Sequence, residues 1–457
     1  MADEGEKIHS FQSMILDLPP SCVEICPRYP SHFVVGTYYL DTSEIEGKHT
    51  EKDNDGDDVE VEAKHAQSKS GSIIVFGLKD GKAYVSRLQL SLRKHANLSY
   101  RHKKQTVAQP SAVFDLHFAP QADRGDLCAA VSSTGTISFF RLTPDPSTST
   151  EGTAEGQYLQ NLSVLRIPRL PEDDSFTYFT WHPEIPGLMA VTTSTGKVII
   201  ARVQSDYKKI KRLRTILEHD AEAWFVAFSP LSHQAPSSDE TLSTVFSGGD
   251  DFKLLLGTHA TRPDTKEATA SDPESAEPSG SDSDSEQDSA PPRDNNGIRH
   301  DAGVTAILPL RLTTSEGYDV VVTGSYSDHI SVWGVMPPYK LEGLPVVRRL
   351  LKRRDLGGGV WRLKVIEELS DYPGDGWTVT LLVSCMHAGA RVVRIEGDLT
   401  TVTSIEVLRR FEEHESMNYG SDYTWVNRRE FFGEGEGRKI VCVSTSFYDK
   451  RLCLWTF

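Results

Sequence analysis

Residues 219–251 decide how the chain is read. They open His219-Asp220-Ala221-Glu222-Ala223-Trp224-Phe225-Val226-Ala227-Phe228-Ser229-Pro230 and, after a polar loop, close Val245-Phe246-Ser247-Gly248-Gly249-Asp250-Asp251. A His-Asp pair starts the stretch. A mostly apolar strand follows and stops at Ser-Pro, and a second short strand runs into a Gly-Gly-Asp-Asp turn. This is the wording of one blade of a β-propeller, a small sheet repeated around a channel.

Working outward, the same wording recurs. Towards the N-terminus, 176–203 and 113–142 each hold apolar strands broken by a Ser/Thr-Gly turn. A first unit takes 23–27, 33–39 and 71–76, with an outer strand expected at 83–88. Towards the C-terminus come His300-Asp301 with strands at 320–324 and 330–333, then Gly357-Gly358-Gly359-Val360-Trp361-Arg362-Leu363 with 378–384 and 391–395. The last unit is Tyr419-Gly420-Ser421-Asp422-Tyr423-Thr424-Trp425 with 440–445 and 452–455. Seven units at this spacing match the WD40 period, so the expected fold is an all-β, seven-bladed WD40 β-propeller. The last unit is one strand short, and 11–18 form a strand with no unit of their own. Pairing the two closes the ring and removes an open edge.

The expected organisation is a loose N-terminus over 1–10 and one propeller over 11–457. Two acidic, apolar-poor insertions, at about 43–70 and 261–298, are expected to be disordered. The net charge of −16 argues against phosphate neutralisation, so no direct nucleic-acid binding is expected. No apolar run reaches the roughly 18 residues of a membrane span, and 1–7 lack a signal-like apolar region. Cys22, Cys26, Cys128, Cys385, Cys442 and Cys453 have no zinc-like spacing and read as free thiols of a reducing compartment. A soluble, cytoplasmic monomer without metal or cofactor is expected.

In each unit the start of the inner strand and the turn after the second strand lie at one end of the disc. The first position gathers Glu222, Trp224, Trp361, Asp422 and Trp425. The second gathers Asp250, Asp251, Tyr326, Cys385, His387, Phe447, Tyr448 and Asp449. Nearly all come from the fourth to seventh units. His219, His300, Asp251 and Asp449 read as blade-building residues. His387 sits where a blade normally carries Asp, and no Trp follows at the structural spacing, so it is the best group for titration near neutrality. G-x-S-x-G, H-E-x-x-H, Walker and G-x-G-x-x-G motifs are absent.

His219-Asp-x-Glu-Ala-Trp224 with Ser247-Gly-Gly-Asp-Asp251, Thr323-Gly-Ser-Tyr-x-x-His-Ile330, Gly358-Gly-Val-Trp-Arg362, Cys385-Met-His-x-Gly389, Tyr419-Gly-x-Asp-x-x-Trp425 and the terminal Ser446-Phe-Tyr-Asp-x-x-Leu-x-x-Trp455 resemble the diphthine methylesterase family. The likeness is dense over 215–457 and looser over 13–205. Ser327-Asp328 and Gly257-Thr258 depart from the family's Asp-Glu and Trp-Asp. The resemblance implies hydrolysis of a methyl ester on a modified histidine of translation elongation factor 2, giving diphthine and methanol in diphthamide biosynthesis. The partner would be that factor, whose modified side chain also carries a trimethylammonium group. His387, Asp250 and Glu222 are then the expected catalytic residues. Trp224, Tyr326, Trp361, Cys385, Asp422, Trp425 and Tyr448 are the expected substrate-binding set. The alternatives are a non-catalytic scaffold presenting the factor to other enzymes, and an adaptor working through the acidic loop at 261–298.

Overall fold

A computed structural model describes residues 5–40, 49–52, 58–61, 69–79, 82–84, 103–144, 157–235, 239–261, 297–341, 347–370, 376–433 and 435–457. Seven sheets of antiparallel strands stand around a common channel. Blade 1 is built from Pro20–Ile25, His32–Thr37, Lys69–Lys79 and Lys103–Gln109. Blade 2 uses Val113–Phe118, Leu127–Ser132, Thr136–Leu142 and Leu159–Arg166. Blade 3 uses Phe176–Trp181, Leu188–Thr193, Lys197–Val203 and Ile210–Glu218. Blade 4 uses Ala223–Gln234, Thr241–Gly249, Lys253–Thr261 and Ile298–Arg299. Blade 5 uses Val304–Thr313, Asp319–Ser325, His329–Val335 and Arg348–Asp355. Blade 6 uses Arg362–Ser370, Gly376–Ser384, Ala390–Asp398 and Val402–Phe411. Blade 7 takes Gly420–Asn427, Arg438–Ser446 and Arg451–Thr456 from the C-terminus. Its outer strand, Ser10–Ile15, comes from the other end of the chain and runs antiparallel to Arg451–Thr456.

Burial follows strand position. The second strands Leu127–Ser132, Leu188–Thr193 and Asp319–Ser325 are buried along their whole length, because neighbouring blades cover both faces. The outermost Ser10–Ile15 alternates between half-buried and exposed, as a strand with one wet face does. Blades meet most closely where a second-strand glycine faces the next inner strand. A Cβ on Gly248 would lie 2.6 Å from Val304 Cγ1, so a side chain there would push blades 4 and 5 apart.

Hydrogen bonds hold the blades in the manner the His and Asp spacings indicate. His219 Nδ1 lies 2.9 Å from Asp251 Oδ1 and its Nε2 2.9 Å from Ser247 Oγ, while Ser247 donates to Phe225 O. In blade 5, His300 Nε2 and the Trp333 indole meet at Thr323 Oγ1. In blade 7, His414 and the Trp455 indole meet at Ser444 Oγ, and Asp449 accepts from Glu415 N and Ser416 Oγ. Blade 4 has Gly257 in place of the tryptophan, and Ile216 and Leu217 of blade 3 fill the space beside it.

Three expectations need correction. The outer strand of blade 1 is Lys103–Gln109, not 83–88. Among the described residues Lys82–Tyr84 pairs with the end of Lys69–Lys79, and 85–88 lie outside the described residues. Residues 1–10 are not uniformly loose: Glu6–Ile8 adds a parallel strand to Val402–Phe411 of blade 6, where Arg409 pairs with Glu6 at 3.2 Å. Within 43–70, His49–Lys52 and Asp58–Val61 form a small hairpin. Lys69 and Ser70 already belong to the strand Lys69–Lys79; the remainder of that insertion, and nearly all of 261–298, lie outside the described residues.

Burial leaves a pH signature on this frame. Desolvation lowers His182, His259 and His414 to about 4, so all three are neutral when folded. The unfolded chain takes up those protons near the ordinary histidine value, and stability therefore falls as pH drops from about 6.5 towards 4. Asp319, pushed up to about 6 by burial, works in the opposite sense. His117, Asp250 and Asp422, also raised, act with Asp319, while His233 and His300, also lowered, act with the three imidazoles. Denaturant unfolding at about pH 5 should give a stability several kcal/mol below that at about pH 7.5, at roughly 1–2 kcal/mol per histidine. Equal stability at the two values would contradict this reading.

Candidate functional site

Trp361 is the centre of the site. It precedes the inner strand of blade 6, and its N–H donates to Ser384 O at 2.8 Å. Its ring contacts Trp224 at 5.9 Å, Tyr326 at 6.1 Å and Tyr419 at 4.8 Å between centroids. Side chains alternate along a strand, so the next residue, Arg362, turns into the channel. Its guanidinium lies 5.0 Å from the Trp361 ring, 4.9 Å from Tyr178 and 5.5 Å from Phe225, and it is ion-paired to Asp115 across the channel. A stacked, paired arginine thus forms the floor beneath Trp361.

Trp224 reaches this mouth through a β-bulge. The pairing of the inner strand with the second strand shifts register between Ala223 and Phe225, so Trp224 is the extra residue. A bulge re-aims its side chain, here away from the sheet and towards the entrance. Asp250 follows the second strand of the same blade, and its N–H donates to Glu222 O at 2.9 Å. Its carboxylate meets Tyr326 over Gly303: a Cβ there would lie 2.7 Å from Asp250 Oδ1 and 3.0 Å from Tyr326 Cδ2. Burial pushes the Asp250 carboxyl up, with help from Glu222 and Asp251, while the Trp224 indole opposes it. The buried indole Nε1 completes no hydrogen bond of normal geometry. Burial first, then the charges of Asp250 and Tyr419, raise Tyr326, so its hydroxyl stays protonated.

The expected residues separate into two groups. Trp224, Tyr326, Trp361 and Asp250 meet at one mouth. The side chain of Glu222 is exposed at the rim, and its carbonyl anchors the Asp250 turn. His387 is exposed on the turn of blade 6, next to Met386, whose sulfur packs where a Gly359 Cβ would lie, beside Tyr326. Tyr448 is 68% exposed, and its ring contacts Phe447 at 5.1 Å.

Three of the expected residues lie apart from this mouth. Cys385 is fully buried, and burial pushes its thiol up to about 12, so it offers neither a contact surface nor a thiolate. Asp422 is inside the channel, accepting from Ile25 N at 2.7 Å and Lys364 Nζ at 2.8 Å. Trp425 lies further along the same strand. Six residues at about 3.3 Å each carry it roughly 20 Å from Tyr419, towards the opposite end of the channel. There it stacks with Arg438 at 5.1 Å and lines a cavity of about 270 Å³ with Pro27, Pro30 and Lys364.

Sequence reasoning placed Phe447 at this mouth but passed over Tyr419, Tyr38 and Phe114; all four extend the cluster. Tyr419 contacts Phe447 at 5.7 Å, Phe447 contacts Tyr38 at 6.0 Å, and Tyr38 contacts Phe114 at 5.4 Å. The signal was present: Tyr38, Tyr326 and Phe447 each directly follow the second strand of a blade. Also missed was the network within the channel. Glu24 binds His117 at 2.8 Å and lies 3.9 Å from Lys364. Burial works against charge on His117, yet the carboxylates of Asp115 and Glu24 hold its imidazole above the ordinary value.

No family model matches the chain. A curated protein of Schizosaccharomyces pombe named diphthine methyltransferase is 27% identical over 368 residues, which cover 79% of this chain and 86% of that protein. The human protein of that name is 21% identical over 429 residues, covering 91% and 75%. The Saccharomyces cerevisiae one is 29% identical over 245 residues, covering 52% of this chain and about half (49%) of the relative. Among solved structures, Chaetomium thermophilum Sqt1 bound to the N-terminus of ribosomal protein L10 superposes with a TM-score of 0.49 at 11% identity, over 99% of this chain and 100% of that one. No helix of the described residues is long and apolar enough to cross a membrane. With its seven blades, the chain is similar to these relatives, which support a place among the WD-repeat proteins of diphthamide biosynthesis.

Proposed function

We propose that this protein is a carboxylic ester hydrolase that removes the methyl ester from methylated diphthine on translation elongation factor 2, releasing diphthine and methanol. The observation that carries the reading is the wall of Trp224, Tyr326 and Trp361 around the Asp250 carboxylate. Aromatic faces with an anion among them attract a quaternary ammonium, which no hydrogen bond can hold. The substrate carries such a group beside its ester. The names of the relatives point to a methyl-related step on diphthine.

In this mechanism Asp250 and the rings hold the trimethylammonium, and Glu222 adds negative charge at the rim. His387 takes a proton from water as the water oxygen bonds to the ester carbon. The resulting oxyanion accepts from the hydroxyls of Tyr326 and Tyr419, which burial keeps protonated. The C–O bond to methoxide then breaks, and the proton on His387 completes methanol. The water proton and oxygen are both accounted for, and no cofactor enters.

Purified protein incubated with methyl-esterified elongation factor 2 is expected to strip the methyl group, with methanol appearing in equal amount. Mass spectrometry of the modified peptide reads this directly. Tight binding with the methyl retained would replace this reading by that of a scaffold, and a gain of methyl on unesterified diphthine would replace it by methyl transfer.

A further inference from the structure

The mouth is larger than one modified side chain needs. Ring contacts run without a break from Trp224 in blade 4 through Tyr326, Trp361, Tyr419, Phe447 and Tyr38 to Phe114 in blade 2. Each of these rings is half-buried or exposed, so together they present an apolar arc to solvent. Contiguous apolar surface of this kind marks a contact face.

The two ends of the arc share a structural oddity. In blades 1 to 5 the inner strand has a bulge at its second residue, at Ser21, Phe114, Thr177, Trp224 and Thr305. Three of these are hydroxyl residues, and each ties its blade to the next. Ser21 donates to Val113 O at 2.7 Å, Thr177 to Ala223 O and Thr305 to Val360 O. Blades 2 and 4 give up that bond for an aromatic ring. Trp224 is accounted for by the cation site. Phe114 lies at the far end of the arc, in the same structural position, with no role in that site. A frame that forgoes an inter-blade hydrogen bond at two places, and links the two rings by continuous contacts, has a use for the whole arc.

We infer that the arm Tyr419–Phe447–Tyr38–Phe114 docks the polypeptide on either side of the esterified residue, receiving the apolar tip of a loop of the substrate protein. This rests on the proposed function for the identity of the substrate. Continuity fixes the occupant: the 4.8 Å contact between Trp361 and Tyr419 joins the arm to the cation site, so whatever enters one lies against the other. The arc is open at blade 3. There the bulged residue is Thr177, and the adjoining turn is polar, with Thr195 Oγ1 donating to Asp174 at 3.1 Å. The two ends of a loop leave the mouth across that gap. The arm therefore sets specificity: it makes intact elongation factor a better substrate than a small ester with the same head group.

The test pairs two variants with two substrates. Phe114→Ser restores the hydroxyl used in blades 1, 3 and 5, so the fold is retained, and Phe447→Ala removes the central ring of the arm. Each is assayed on intact methyl-esterified elongation factor and on glycine betaine methyl ester, which has the cation and the ester but no polypeptide. For the factor, KM and the directly measured Kd should rise about tenfold or more, as for loss of an aromatic anchor, with kcat little changed. Kinetics on the small ester should match wild type. Unchanged Kd and KM for the factor in both variants overturn the inference, as does an equal loss on both substrates. If wild type hydrolyses neither ester, the hydrolase reading falls, and the Kd of the factor still decides the docking arm.

Discussion

His387→Ala is expected to lower kcat for methyl-ester hydrolysis by a factor of about 10²–10⁴, the usual contribution of a positioned general base. KM should change little, because the proposed cation contacts belong to Trp224, Tyr326, Trp361 and Asp250. The variant should also unfold at the wild-type denaturant midpoint. His387 is exposed on a turn whose backbone geometry is held by Met386, Cys385 and Gly389 rather than by its own ring. Cys385 N donates to Gly389 O, and Asn418 N to Met386 O. This separates it from His219, His300 and His414, which are frame residues hydrogen-bonded to a Ser or Thr of the second strand. Alanine at those positions should reduce stability first and activity only as a consequence. Stopped-flow or steady-state methanol release, with thermal unfolding on the same samples, makes the comparison. Wild-type turnover in His387→Ala would remove the residue from the mechanism.

Asp115→Ala should be the most damaging single change to the frame, costing about 3–5 kcal/mol, the usual loss when one partner of a buried ion pair is removed. Its partner Arg362 lies against the rings of Tyr178, Phe225 and Trp361, and Asp115 is the carboxylate it pairs with among the described residues. Asp115 also accepts from Leu116 N and lies 3.8 Å from His117 Nε2, so its loss removes an acceptor from Leu116 N as well as the ion pair of Arg362. Changing both partners to apolar residues, Asp115→Leu with Arg362→Met, should cost much less than the single change, because no unpaired charge remains. Equilibrium denaturation of the three proteins tests this. A single variant within about 1 kcal/mol of wild type would show that the channel pair does not carry the load assigned to it. Because Arg362 also supports the Trp361 ring, Asp115→Ala should loosen the cation site as well.

The repeat was legible because the units restate a few local rules: short apolar strands at a regular spacing, turns between them, and a His or Asp where strands must be tied; the blade 4 inner strand, expected to stop at Ser229-Pro230, runs on to Gln234. The closure was legible because 11–18 and the unit ending at Trp455 were each left incomplete. Depth along the channel was less visible. Asp422 and Trp425 stood in the right strand, but a strand advances about 3.3 Å per residue and alternates its faces. That placed the first inside the channel beside Lys364 and the second at the other end beside Arg438. Cys385 shared a turn with His387, yet the turn buries one and exposes the other. Phe114 stayed hidden for a different reason. Aromatic residues in strands are usually core, and only the bulge register shows that Phe114 is turned towards the mouth.

Which end of the channel receives the quaternary ammonium is the most direct question to put to this account. A structure determined with glycine betaine methyl ester, or with its carboxylate product, would answer it. The trimethylammonium should lie within about 6 Å of the Trp224, Tyr326 and Trp361 rings and beside Asp250. A ligand bound instead against Trp425 and Arg438 at the opposite end, or no binding at either end, would contradict it.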